Sequence, residues 1–441
     1  MKYFLIIFFS FPAWSQQYFN VELRSQWSDT TITEGPGNVR FSDVWGFEYK
    51  NSNYAVLGST DGTHFLRIEN NSIKPIQFEK GAFSGSLVQH RDFKRYKNYI
   101  YGVCDEGSST LQIFDMRYLP DSVHKVYDSN ELFTTCHNLF IDTVKAKLYA
   151  CGPDNVGMKI YDLQEPESPV LWYTFNNVSY VHDCFVSNDT AFLNAGADGL
   201  KVYDFSNNVT PIEIGVLSLY QDKGYNHSGW MDPTKSMYCF IDETLGKKIK
   251  LCSLKNGIDN IEVNALFGTR NAVDYIPHNI IVHSGYAFVS YYNEGFRIFD
   301  LEQSPIKQVG FYDTYPETNS FKMHGAWGVY VFEKDELILV SDRQSGLFSF
   351  YFPFKAFRNR NTDHQVYGTP FVNAESKIII GAENNENLRF NVFSVAGSIV
   401  YESEVMRNWV NIPLDLNPGE YIYQIFSEVG EISYSGKFII L

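Results

Sequence analysis

One short pattern of alternating apolar and polar residues returns along most of the 441-residue chain. It reads THFLRIEN from Thr63, STLQIFDM from Ser109, GMKIYDL from Gly157 and GLKVYDF from Gly199, then GKKIKLCSL from Gly246, GFRIFDL from Gly295 and GLFSFYF from Gly346. The copies stand roughly 42 to 51 residues apart, a period that points to a repeat architecture. Alternation with period two marks a strand whose two faces meet different surroundings. A second strand precedes each copy: NYAVLGS, YIYGVCD, KLYACG, TAFLNAG, SMYCFID, YAFVSYY and ELILVSD. A third lies upstream of that: VWGFEY, RDFKRY, HNLFID, HDCFVS, HSGWMD, HNIIVH and WGVYVF. A fourth follows some copies, as in PVLWYTF and KQVGFYD. Glycines such as Gly199, Gly295 and Gly346 sit where tight hairpins require positive φ. Asp115, Asp162, Asp204 and Asp300 end strands and would start turns through their carboxylates.

Four short strands per repeat, seven times over, predict an all-β chain built as a seven-bladed β-propeller. An open solenoid or a two-sheet sandwich is the alternative. The seventh copy is followed by PFKAFRN, with no fourth strand. The segment YFNVELRSQW, Tyr18–Trp27, has strand character and would supply it. Closing the ring in this way removes an exposed edge.

Alignment of the upstream strands gives one position per repeat, occupied by Trp45, Arg91, His137, His182, His227, His278 and Trp327. If these strands line a central channel, four imidazoles, a guanidinium and two indoles meet at one end of it. Two readings of the ring stand open. In the first, neighbouring imidazoles hold a divalent metal ion, with Asp183 joining His137, His182, His227 and His278, or the whole ring binds an anionic or aromatic ligand. In the second, each histidine bonds to the next repeat and satisfies buried backbone groups. His90 and His324 fall beside the ring position. His64, His124, His283 and His364 lie at turns or connections and are expected in solvent.

Composition narrows the partners. The net charge is −15, whereas a nucleic-acid phosphate backbone requires a cationic footprint. Aromatics reach 17% of the chain, which suits sheets with buried faces. No stretch after the N-terminus has the roughly 18 uninterrupted apolar residues of a membrane span. H-E-x-x-H, G-x-S-x-G, phosphate-loop and EF-hand patterns are missing, so no reaction is assigned. Six cysteines form no C-x-x-C pair. Cys239 and Cys252 flank ETLGK symmetrically, which would suit a bridged hairpin or two buried thiols.

The ends differ from the repeats. MKYFLIIFFSFPAWSQQ has a basic start at Lys2, an apolar run from Tyr3 to Phe11, and Ala13 and Ser15 before Gln16. This is the pattern of a secretory signal peptide over 1–15. Residues 16–355 hold the repeats, and 356–368 are polar and basic, a linker. Residues 369–441 carry short alternating strands with LNPGEY and SEVGEISY as turns, a small β-sandwich.

Two resemblances follow from these residues. FNVFSVAGSIVYE at Phe390–Glu402, IPLDLNPGEYIYQI at Ile412–Ile425 and SGKFIIL at Ser435–Leu441 resemble the type A C-terminal sorting domain of type IX secretion in Bacteroidota. The opening TPFVNAE departs from that domain's usual Tyr-Pro-Asn-Pro. DVWGFEY, CHNLFID, YVHDCFV, GLKVYDFSNNVTP and the stretch from GAWGVYVF to SDRQSGLFSF resemble the LVIVD-repeat propeller of the choice-of-anchor B proteins. The resemblances imply export by the signal peptide and outer-membrane passage by the tail. The tail would then be removed, leaving a secreted or cell-surface protein. Its partners would be the type IX machinery and an unknown extracellular ligand. The propeller family carries no activity to transfer. The reading that follows is a ligand- or partner-binding propeller. A metal-dependent, hydrolase-like enzyme using the histidine ring, or a purely structural or adhesive surface protein, is the alternative.

Overall fold

In a computed structural model, the protein is described over residues 18–354 apart from 270–273 and 317–322. Beyond 363 it is described over 364–367, 371–372, 377–382, 389–404, 409–411, 416–417, 419–426 and 432–440. The fold is all-β and propeller-like, and it divides into two compact units. The first, Phe19–Phe352, holds seven antiparallel sheets. Their first strands are Phe41–Tyr49, Arg91–Tyr96, Asn138–Asp142, Asp183–Ser187, Asn226–Met231, Asn279–His283 and Ala326–Phe332. We number the sheets 1 to 7 in that order. In sheets 1 to 6 four consecutive strands follow one another across the sheet. Each first strand packs against the first strand of the next sheet, and that of sheet 7 packs against that of sheet 1.

Sheet 7 takes its outer strand from the other end of the unit. Glu22–Trp27 pairs antiparallel with Gly346–Tyr351, as the strand character of that segment predicts. Aromatic and branched side chains fill the spaces between sheets. Phe47, Phe65, Phe93 and Phe114 pack between sheets 1 and 2. Phe175, Val186 and Tyr203 pack between sheets 3 and 4, and Phe296 stacks on Phe350 at 5.7 Å between sheets 6 and 7. Gly199 and Gly346 take φ of 83° and 93° in the hairpins that repeat around the unit, a region open to glycine. The four strand-ending aspartates do start turns: Asp115, Asp162, Asp204 and Asp300 each accept the backbone N–H two residues on, at 2.6–3.0 Å.

Of the two readings of Cys239 and Cys252, the structure has buried thiols and not a bridge, and all six cysteines are free. Cys239 lies opposite Leu251, and Tyr238 opposite Cys252. The offset is one residue, and one residue turns a side chain to the other face of a sheet. Cys239 therefore joins the core beside Ile280 and Val289, and Cys252 the core beside Phe192 and Val202.

The second unit contains two sheets beyond Pro353. One joins His364–Tyr367, Lys377–Ala382 and Trp409–Asn411. The other joins Phe371–Val372, Arg389–Ser394, Ile399–Glu404, Gly419–Phe426 and Ile432–Ile440. The expected linker thus includes the paired strand His364–Tyr367, while the expected signal segment lies outside the described residues. No helix among the described residues is long and apolar enough to cross a membrane.

Candidate functional site

Five imidazoles and one indole form a closed belt where the first strands begin. Ring centroids are 4.6 Å apart for His90–His137, 4.1 Å for His137–His182 and 4.0 Å for His182–His227. They are 4.7 Å apart for His227–His278, 4.1 Å for His278–Trp327 and 5.5 Å for Trp327–His90. The four predicted histidines and Trp327 are therefore brought together. Their common place, just before or at the start of a first strand, is what the repeat encodes.

Two predicted ring members stand elsewhere. Arg91 turns away: its Nε donates to Ser59 O at 2.8 Å and its Nη2 to Phe83 O at 2.5 Å. The guanidinium lies over Gly81, where any side chain would collide with it. His90, one residue earlier, takes the place in the belt. Trp45 lies deeper, 6.4 Å from Trp230 and under the Lys94 ammonium at 4.6 Å. The first strand of sheet 1 carries a bulge between Phe41 and Val44. The first strand of sheet 7 has the same bulge between Ala326 and Val329, and this pairing sets Ser42, not Trp45, in the place of Trp327; Ser42 accepts from Arg91 N at 3.2 Å.

Each belt member has distinct partners. His182 Nδ1 bonds His227 O at 3.1 Å, and His278 Nδ1 bonds Trp327 O at 2.7 Å. A carbonyl oxygen only accepts, so in both neutral rings Nδ1 carries the proton and Nε2 keeps its lone pair. Ser228 Oγ makes the same kind of bond to His278 O at 2.9 Å. These are joints between neighbouring sheets. His137 and His227 instead meet carboxylates. His137 Nδ1 lies 2.8 Å from Asp105 Oδ2, and His227 Nε2 lies 3.7 Å from Glu243 Oε2. The His227 ring meets the backbone of His278 and the His90 ring that of His137, while the other ring nitrogen of His90 and Nε1 of Trp327 are buried without a hydrogen-bond partner among the described residues.

Burial pushes His182 and His278 well below the usual imidazole range, and brings His90 down to about 3. His227 is lowered too, by burial that outweighs Glu243. Burial also acts on His137, but the Asp105 carboxylate overrides it and raises the group above its ordinary value.

Asp105, Glu243 and Arg343 were not predicted. Each directly follows the second strand of its sheet, after Cys104, Asp242 and Asp342. A charged residue at that position was the available signal. The Arg343 guanidinium lies 4.4 Å from the Trp327 ring and donates to Met323 O and Gln89 Oε1.

Deeper along the first strands is a cavity of about 40 Å³, lined by Asp43, Asp92, Lys94, Asn138, Asp183, Ser228 and Asn279 among others. Asp183 faces this cavity and not the histidine belt. Burial raises Asp183 to about 7 and holds Asp43 well above the carboxylate range. Asp92 bonds Lys94 Nζ at 2.8 Å; that cation outweighs its burial and lowers it.

Two histidines expected in solvent differ. His64 is buried between Trp27 and Phe78, bonds Ser59 Oγ at 2.9 Å, and is lowered to about 4 by burial. His283 is half-buried, 3.5 Å from Glu333. His124 stacks on Tyr118 at 3.7 Å. His324, buried, meets Tyr315 edge-on. The side chain of His364 lies outside the described residues. Compared with known protein families and with curated proteins, the chain matches none.

Proposed function

We propose that the protein is an exported seven-bladed β-propeller that binds a small polar ligand at the belt of His90, His137, His182, His227, His278 and Trp327. One observation carries this reading: a ring nitrogen of His90 and Nε1 of Trp327 are buried in the belt with no hydrogen-bond partner among the described residues. Buried polar groups are normally satisfied, and an unsatisfied one costs on the order of 1–3 kcal/mol. A purely structural ring would satisfy all its members, as His182 and His278 are satisfied. The flat faces around the site favour stacking, and Trp327 Nε1 offers a donor.

The second unit is read as a β-sandwich sorting domain that directs type IX secretion, leaving a secreted or surface-held propeller. The support is the signal-like N-terminus and the tail's resemblance to that domain. It does not bear on the belt.

The test is an experimental density map of the mature chain purified from its native host, beside a small-molecule thermal-shift screen. The expected result is ordered non-water density against His90 and Trp327. Stabilising compounds should lose their effect in His90→Phe and Trp327→Phe. A belt holding only water, with no compound shifting the melting point of folded protein, would overturn the reading.

A further inference from the structure

The belt is not uniform, and its asymmetry names a ligand class. Among the described residues, His227, Glu243 and His278 bring one ligand atom each within 4.8 Å of one another. Resting on the reading of the belt as an open binding site, we infer that these three side chains form a site for a divalent transition metal.

Several features converge. Two imidazoles and one carboxylate are a donor set used for zinc and for non-haem iron, with positions left open for a further ligand. His278 Nδ1 is occupied by Trp327 O at 2.7 Å, so its Nε2 presents a lone pair. Outer bonds of this kind fix the tautomer and aim of metal-binding histidines. Tyr292 Oη donates to Glu243 Oε1, which leaves Oε2 facing His227 Nε2 at 3.7 Å. Around a tetrahedral ion with bonds of about 2.0–2.1 Å, ligand atoms stand about 3.3 Å apart. Small rotations of the side chains close that gap. Arg343 donates to Met323 O and Gln89 Oε1 and acts on Glu243 through its charge, with no hydrogen bond between the two among the described residues.

The three ligands come from places the repeat sets in register. His227 is the second residue of the first strand of sheet 5, Glu243 follows its second strand, and His278 precedes the first strand of sheet 6. The equivalent group in sheet 2, Asp105, is already bonded to His137 Nδ1.

The test uses the untagged mature chain, stripped with a chelator and titrated with Zn²⁺ and with Co²⁺. The expected result is one Zn²⁺ per chain by calorimetry and elemental analysis, and d–d absorption bands with Co²⁺. Glu243→Gln and His278→Ala should abolish stoichiometric binding. Tyr292→Phe, which keeps the ligands, should weaken it about 10- to 100-fold. His124→Ala, at an exposed histidine outside the belt, should bind as the wild type does. No binding by folded wild type, or loss in His124→Ala with retention in Glu243→Gln, would overturn the site. If zinc fails while density stands against His90 and Trp327, the metal inference alone falls. If both fail, the belt reading falls with it.

Discussion

Asp183 shows how much one ionisation weighs beside this cavity. Its Oδ1 accepts Cys184 N at 2.7 Å, and Asn138 in the neighbouring sheet accepts Leu139 N in the same way at 2.7 Å. The bond does not need a charge. Burial raises Asp183 to about 7, Lys94 opposing and Asp92 reinforcing the rise, whereas an unfolded Asp titrates near 3.9. Between these values the folded chain holds a proton that the unfolded chain has lost. Stability contributed by the neutral acid is therefore full below about pH 4 and declines as pH rises to about 7. The gap corresponds to about 4 kcal/mol at most. Asp183→Asn should raise the melting temperature at pH 8 by several degrees, with the difference from wild type closing by pH 4. Melting curves at the two pH values check this. An equal difference at both would mean that ionisation is not the cause.

At the scale of elements, the strand Glu22–Trp27 ties one end of the first unit to the other. Its partner, Gly346–Tyr351, lies between it and Leu337–Asp342. Trp27 meets Phe41 edge-on at 6.1 Å and His64 at 5.2 Å, so the strand also contributes packing between sheets 7 and 1. A chain beginning at Ser28 should expose Gly346–Tyr351 as an edge with unpaired N–H and C=O groups. We expect it to self-associate in light scattering, and a synthetic Tyr18–Trp27 peptide to restore the monomer by strand addition. A stable monomer without peptide would contradict this role.

This strand was legible in sequence because alternation and a missing partner pointed the same way. The convergence of His137, His182, His227 and His278 was legible because a repeated strand start repeats its geometry. Trp45 and Arg91 were misplaced for local reasons. Strand pairing sets Ser42, three residues before Trp45, in the place Trp327 takes in sheet 7, and the Arg91 guanidinium lies over Gly81, away from the belt. His90 was visible beside the ring position, whereas Asp105, Glu243 and Arg343 were hidden because each stands one step beyond a recognisable strand. There the side-chain direction is set by tertiary neighbours and not by period.

At the scale of the whole molecule, the two units answer to different demands. Phe19–Phe352 contains every member of the belt and the cavity, and its sheets draw their strands from 18–352. In our reading the second unit serves export, so its removal should separate folding from destination. A chain ending at Phe354 should melt cooperatively near the wild-type temperature when produced in the cytoplasm, and should bind Zn²⁺ with unchanged stoichiometry. The same truncation in the native host should leave the protein in the periplasm. Wild type should reach the medium or the cell surface, as fractionation and surface proteolysis would report. Two outcomes would count against the division. A truncated chain that no longer melts cooperatively would make the second unit part of the fold. A truncated chain that still reaches the cell surface would deny the tail its sorting role. The zinc measurement keeps these apart, because it requires the belt to be assembled and is indifferent to where the protein travels.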